Sequence, residues 1–332
     1  MRKAIALVWL LGACGGGGDD TTFGTDGSIA PPNGATGPYF ETPMFFNAVV
    51  AGVQPSTTSA QQIAALRSSG GWGNGDFMQI DFSIDVLAAP SGTPMRTFTP
   101  TADFYDPDCD RVAMPVPPGG NVEGETGYAC TGDGDCHLLV FDPAGGQLYE
   151  MWRANITSTF FGGCLAAWDT RAQYDDGLRG EQCSSADAAG FPISPLLFTA
   201  DEVASGEIDH AIRFIVPNNR VKKGYVHPAS HGTNTTGGAN APAYGVHLRL
   251  RADFPIASLP NEGARVVARA MQKYGMYHAD GGNIALTAQS DRYTAAKWDS
   301  LLGPRDLGAL KVEDFEVIDH GPMIPLNFDC RR

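Results

Sequence analysis

The stretch HLLVFDPAGGQLYEMW, residues 137–152, decides the fold. Two apolar runs, His137 to Asp142 and Leu148 to Trp152, flank Pro143 to Gly146, and a turn of that composition between such runs reads as a β-hairpin. Pairing Asp142 with Gln147 makes the indices of opposed residues sum to 289, so Leu139 opposes Glu150 and His137 opposes Trp152. These four then share one face with Phe141 and Leu148. A slip of one residue would place His137 with Tyr149 and Met151 and separate it from Glu150.

Working outward, strand patterns prevail. Met44 to Gly52, Phe77 to Leu87 and His210 to Val216 read as strands. Tyr244 to Phe254 shows the clearest alternation: Val246, Leu248 and Leu250 point one way and His247, Arg249 and Arg251 the other. Ser59 with Gln62 reads as a capping box opening a helix through Arg67 that Gly70 and Gly71 end. Ala264, Val267, Ala268, Met271 and Tyr274 fall on one helical face, stopped at Gly275, and a third helix is expected over Tyr293 to Leu302 before Gly303-Pro304. Strands dominating with a few peripheral helices predict a mainly β fold, a β-sandwich or jelly-roll-like domain.

The N-terminus has the marks of export. Arg2 and Lys3 precede the short apolar run Ala4 to Leu11, and Leu11-Gly12-Ala13-Cys14 closes it with small residues before a cysteine. The run is shorter than a bilayer span needs, so residues 1–13 read as a cleaved signal peptide. The cysteine resembles the lipobox of bacterial lipoproteins, which implies diacylation of Cys14 and a membrane partner through that lipid. Gly15 rather than Asp after it points to the outer membrane. Residues 14–37, rich in Gly, Asp, Ser, Thr and Pro, read as a lipidated flexible tether, and residues 38–332 as one large domain.

Without Cys14 six cysteines remain: Cys109, Cys130, Cys136, Cys164, Cys183 and Cys330. An even number in an exported chain predicts disulfides, with 15 pairings formally open. Neighbourhood favours pairs among Cys109, Cys130 and Cys136 or from these to Cys164 and Cys183. The spacings 21, 6, 28 and 19 lack a C-x-x-C pair and argue against zinc. The net charge of −14, or −16 once Arg2 and Lys3 leave, repels nucleic acid. Phosphate-binding glycine loops, dinucleotide fingerprints and G-x-S-x-G are absent from the sequence, so no cofactor is expected, and kinases, dehydrogenases and α/β-hydrolases are disfavoured.

The segments DGDCHLLVFD with LYEMW, SADAAGFPI, DEVASGEIDHAIRF, YVHPASH and KYGMYHADGGN resemble those of a group of exported bacterial proteins to which no activity is attached. The resemblance spans about Glu41 to Asp319 and implies export and little more. Two departures stand out: the group carries a basic residue where this chain has Cys136 and a tryptophan where it has His227.

Five residues are candidates for catalysis. His137 and Glu150 lie diagonally on the hairpin face beside Trp152, an arrangement suited to a sugar cleft in which the indole takes the apolar face and the pair moves protons. The alternative is a hydrogen-bonded histidine at a sheet rim. Asp187, in the SADAAG turn, either caps local amides or presents a carboxylate at a cleft. His210 falls with Ile212 and Phe214, a placement usual for a core histidine, while Arg213 takes the other face. His227 and His231 are four apart, but Pro228 and the missing glutamate argue against a metal pair, leaving His231 as an acid, base or ligand contact. Trp152, Arg213, Tyr225, Arg249 and Arg251 are candidate substrate contacts, and the His247, Arg249, Arg251 row would meet an anionic glycan such as a uronate polymer unless it is merely a solvated face. Two functions follow: a surface enzyme acting on an extracellular polysaccharide by hydrolysis or β-elimination, or a non-catalytic glycan-binding or envelope-assembly lipoprotein.

Overall fold

Ten strands build two larger sheets in the computed structural model, which describes residues 34–332. In chain order they are β1 (Ile80–Ile84), β2 (Val86–Ala88), β3 (Leu138–Asp142), β4 (Gln147–Trp152), β5 (Cys164–Asp169), β6 (Ile212–Val216), β7 (His247–Leu250), β8 (Met276–Gly281), β9 (Leu286–Gln289) and β10 (Phe315–Val317). Shorter two-residue and three-residue strands form small ribbons beside them. The fold is mainly β, with three helices of more than one turn among the described residues: α1 (Ser59–Ser68), α2 (Ala200–Ser205) and α3 (Glu262–Lys273). The expected signal peptide, the expected lipidation site Cys14 and most of the expected tether lie outside the described residues. The tether's last four do not: Ala35 is buried, its amide donates to Val86 O (2.8 Å), and its carbonyl accepts from Tyr39 and Gln289, so the packed chain already includes Gly34 to Gly37.

The four-stranded sheet runs β5-β4-β3-β2. Its central hairpin has the register read from the sequence, with Leu139 opposite Glu150 and Asp142 opposite Gln147. Leu139 and Leu148 enter the main core, while Leu138, Val140 and Met151 on the other face fill a second one with Leu165 and Phe160. A sheet covered on both faces needs apolar residues on both, hence the unbroken Leu-Leu-Val-Phe of β3.

The six-stranded sheet runs β1-β9-β6-β8-β7-β10, with β1 parallel to β9 and β6 parallel to β8. Phe77 to Leu87 therefore supplies two strands in different sheets. The break is at Asp85, buried and held by Asn121 (2.5 Å) and Ser290 (2.8 Å). Helix α3 begins at Asn261, whose side chain accepts from Ala264 N (2.8 Å), and buries Ala264, Val267, Ala268 and Met271. Gly275 ends it at φ 75°, where a Cβ would stand 2.4 Å from the His247 ring, so the chain needs glycine there for clearance as well as conformation.

Some local expectations change. Met44 to Gly52 is not a strand but a 3-10 turn, Phe45–Asn47, because Phe45 packs on Phe191 and Tyr277 while Asn47 caps Met44 N. Thr58, not Ser59, receives Gln62 (3.0 Å) at the start of α1, since Ser59 turns inward to accept from Val317 N. Tyr293 to Leu302 is not helical. The carboxylates of Asp201 and Asp291 take the amides of Ala296 and Trp298 (both 2.7 Å), which substitutes side-chain acceptors for helical carbonyls.

Three disulfides join Cys109 to Cys164, Cys130 to Cys136 and Cys183 to Cys330. They place the protein in an oxidising compartment outside the cytoplasm. No helix among the described residues is long and apolar enough to cross a membrane.

Candidate functional site

The site is assembled where the two sheets meet the 184–191 loop. On the six-stranded sheet Asp81 pairs with Thr287, and the antiparallel register that sets Phe214 against Leu286 brings Arg213 beside Thr287. One row across β1, β9 and β6 thus carries a carboxylate, a hydroxyl and a guanidinium on one face. Arg213 Nη1 donates to Thr287 Oγ1 (2.7 Å) and Nη2 to Asp187 Oδ2 (3.1 Å).

Asp187 reaches that row because its own turn is held by another residue. Ser185 Oγ accepts from Asp187 N (2.9 Å) and donates to Phe191 O (2.6 Å), so Ser185 closes the turn and the Asp187 carboxylate is free to face Arg213. Both partners are buried, at 0% and 5% exposure. Two of their polar atoms, Asp187 Oδ1 and Arg213 Nε, are enclosed without a hydrogen-bond partner among the described residues. An acceptor and a donor left open in one buried pair is costly unless something else fills them.

His137, just before β3, lies on the other side of the same loop. Its Nδ1 is 2.6 Å from Glu123 Oε2, and its Nε2 is 3.3 Å from Ala186 O. Both neighbours are acceptors, so the ring is satisfied when doubly protonated. Burial acts to lower the imidazole pKa, but Glu123, and Asp135 beyond it, outweigh burial and push it up to about 9. Glu123 also takes the Ser83 hydroxyl (3.1 Å). Burial would raise this carboxyl, yet His137 and Ser83 hold it below its usual range.

Asp187 moves the opposite way. Burial, reinforced by Asp280 and opposed by Arg213, pushes it up to about 7. Asp280, at the end of β8, is itself raised by burial against the pull of Arg213 and His137, and Asp81 is raised by burial against its bonds from Ser83. At the rim, Asp135 accepts the Trp152 indole N–H (2.5 Å). One locus therefore holds a histidine–carboxylate pair, a carboxyl raised by burial and a guanidinium fixed by two acceptors.

Of the sequence candidates, His137, Asp187, Arg213 and Trp152 come together here, His231 meets the same loop at Ala188, and the others are engaged elsewhere. Glu150 shares the hairpin face with His137 but is fully buried: it accepts from Ile193 N (2.9 Å), Ser194 N (2.7 Å), Ser194 Oγ (2.8 Å) and Trp168 Nε1 (3.1 Å). Those four donors make it a structural clamp. His210 precedes β6 and pairs with Glu202 of α2 (3.2 Å). His231 holds Ala188 O (2.9 Å) and packs on Phe328, with its pKa lowered by burial. Tyr225 is buried and bonded to Glu181 (2.5 Å).

The basic row is not a groove. His247 is buried against Tyr277, and burial lowers its pKa to about 4. Arg249 is buried on Glu316 and Val50 O, while exposed Arg251 pairs with Asp253. Arg251 does line an open groove of about 750 Å³ with Ile63, Arg67 and Phe315 between α1 and β10. A second, of about 380 Å³, lies among Gln62, Lys222, Asn240 and His320. Neither includes a member of the His137 site. Glu125, Cys130 and Cys136 cluster at metal-binding distance, but the two sulfurs are joined and offer no thiolate.

Glu123, Asp81, Asp280 and Thr287 were not found by sequence reasoning. Only the ADGGN turn after His278, with its acid and paired glycines, marks one of them locally. No family model, curated protein or solved structure matches the chain.

Proposed function

We propose that this protein is an exported, lipid-anchored surface enzyme that performs acid–base chemistry on an extracellular polysaccharide. The observation that carries the reading is the convergence of His137–Glu123 and Asp187–Arg213 on one loop. In this scheme His137 moves the proton. Its long contact to Ala186 O is the one a substrate oxygen would replace. Glu123 holds the imidazolium, Arg213 steadies developing negative charge, and Trp152 offers its ring to a sugar face.

The test is a screen of the purified protein against neutral, amino and uronate polysaccharides, reading new reducing ends and the absorbance of unsaturated products. Reducing ends alone indicate hydrolysis, and both signals indicate elimination. His137→Ala and Glu123→Gln should each lower turnover at least a hundredfold while the fold persists. Activity retained by both would reject the site. The complete burial of Asp187 favours a second reading, a non-catalytic glycan-binding lipoprotein, which binding without either product signal would support. Anchoring rests on the Leu11 to Cys14 motif, and its position in the outer membrane on Gly15. Cys14→Ser should abolish fatty-acid labelling and release the protein from membranes; undiminished labelling would exclude lipidation at that residue.

A further inference from the structure

We infer that the two cavities beside α1 form one cleft that binds a neutral glycan chain through its hydroxyl groups. The cleft shares no residue with the His137 locus, and its own lining names the ligand, so it stands whether or not that locus is catalytic.

The cavity of about 750 Å³ follows the face of α1 that carries Ala60, Ile63 and Ala64. The cavity of about 380 Å³ follows the face that carries Thr58, Gln61 and Gln62. Ser56 and Thr57 stand in the walls of both, so the two run on from one another around the start of the helix. Each volume falls in the range of about 300–1,000 Å³ in which proteins hold organic ligands. The floor is aliphatic in the smaller cavity, where Val226, Ala243 and Val246 are buried, and Ile63 and Phe315 play the same part in the larger. Such a floor suits the C–H face of a sugar ring.

The polar lining of the smaller cavity selects the ligand group. Lys222 offers only donors and Asp319 only acceptors, and among the described residues neither has a salt bridge. Gln61, Gln62, Asn240 and Thr57 offer both. A carboxylate brings acceptors alone and would meet Asp319 as a like charge; an ammonium brings donors alone and would meet Lys222 as one. A hydroxyl donates and accepts, so a row of hydroxyls satisfies every one of these groups, with the stronger, charge-assisted bonds going to Lys222 and Asp319. In the larger cavity Arg67 and Arg251 are matched by Glu313 and Glu316, which leaves no excess of one sign for an ionic ligand. A peptide also carries donors and acceptors, but the strand edge it would add to is taken: at Val317 of β10, Ser56 N donates to the carbonyl and Ser59 Oγ accepts from the amide (both 2.8 Å).

Calorimetric titration of the mature protein carrying His137→Ala, which removes turnover in the scheme above, tests the cleft. The probes are cellohexaose, mannohexaose and xylohexaose, with hexagalacturonate, a fully deacetylated glucosamine hexamer and a neutral Ala-Ser peptide beside them. At least one neutral hexamer should bind about tenfold more tightly than the charged probes and the peptide, with little change between low and high salt. Lys222→Ala and Asn240→Ala should each weaken it by about tenfold, and Arg251→Ala by several-fold, with melting temperatures unchanged because none of the three side chains is buried. Tighter binding of the uronate, the amine or the peptide would overturn the choice of ligand. Binding indifferent to all three variants would place the ligand off the cleft, and no binding by any neutral hexamer would reject the cleft as a glycan site. Each of these outcomes overturns the inference and leaves the His137 chemistry to be decided by its own products.

Discussion

Replacing Glu150 with Gln tests whether this carboxylate belongs to the scaffold rather than to the chemistry. Four donors converge on its two oxygens, and the side chain is fully buried. The amide keeps one acceptor oxygen, which can still serve Ser194 and Ile193. Its NH2 group then faces the Trp168 indole N–H, donor against donor, and the bonds that remain lose their charge assistance. A buried donor left unpaired costs about 1–3 kcal/mol, and a charged bond exceeds a neutral one by about 1 kcal/mol. Burial works in the opposite direction: it raises the Glu150 pKa, and a neutral amide escapes that desolvation. The expected net loss is about 2–3 kcal/mol, which for a chain of this size corresponds to a fall in Tm of roughly 3–5 °C. Urea unfolding followed by tryptophan fluorescence, with calorimetry beside it, measures both. A loss below about 0.5 kcal/mol would refute the clamp, and loss of turnover at unchanged stability would restore Glu150 as a catalytic candidate.

Three further outcomes follow from the same contacts. His137 has a folded pKa of about 9 against 6.5 when free, so its stabilisation is complete below about pH 6.5 and is lost as pH rises through 9; urea midpoints over that window should fall less steeply in His137→Ala, and an unchanged slope would contradict the Glu123 pairing. Arg249→Ala leaves Glu316 and Val50 O without their partner and should cost about 3–5 kcal/mol, whereas Arg251→Ala, exposed on Asp253, should cost less than about 0.5 kcal/mol; equal losses in denaturant titrations would show that the two arginines are equivalent. Removing the Cys130–Cys136 bond, which spans 6 residues, should cost about 3 kcal/mol less than removing Cys183–Cys330, which spans 147, because the longer loop restricts the unfolded chain more; matched Ser double variants compared by denaturation decide this.

The sequence alone determined elements whose stability is local or whose pattern is two-sided. The 137–152 hairpin took its expected register because Pro143 to Gly146 leaves little freedom and a one-residue slip would move Leu139 and Leu148 out of the main core. Helix α3 was legible for the same reason: Ala264, Val267 and Met271 make one apolar stripe between Asn261 and Gly275. Tertiary structure decided what covers each face. Alternation in β7 places His247 and Arg249 opposite Leu248, but whether that face meets water or a second layer depends on Tyr277, Glu316 and Val50, which come from distant segments. Likewise the 293–302 stretch reads as a helix ended by Gly303-Pro304, yet carboxylates from Asp201 and Asp291 capture its amides. The candidate site is the extreme case: His137 and Asp187 could be named from their motifs, but Glu123, Asp280 and Asp81 join them only through sheet register and loop packing. Electrostatic partners are chosen by distance in space, and their spacing along the chain carries no trace of it.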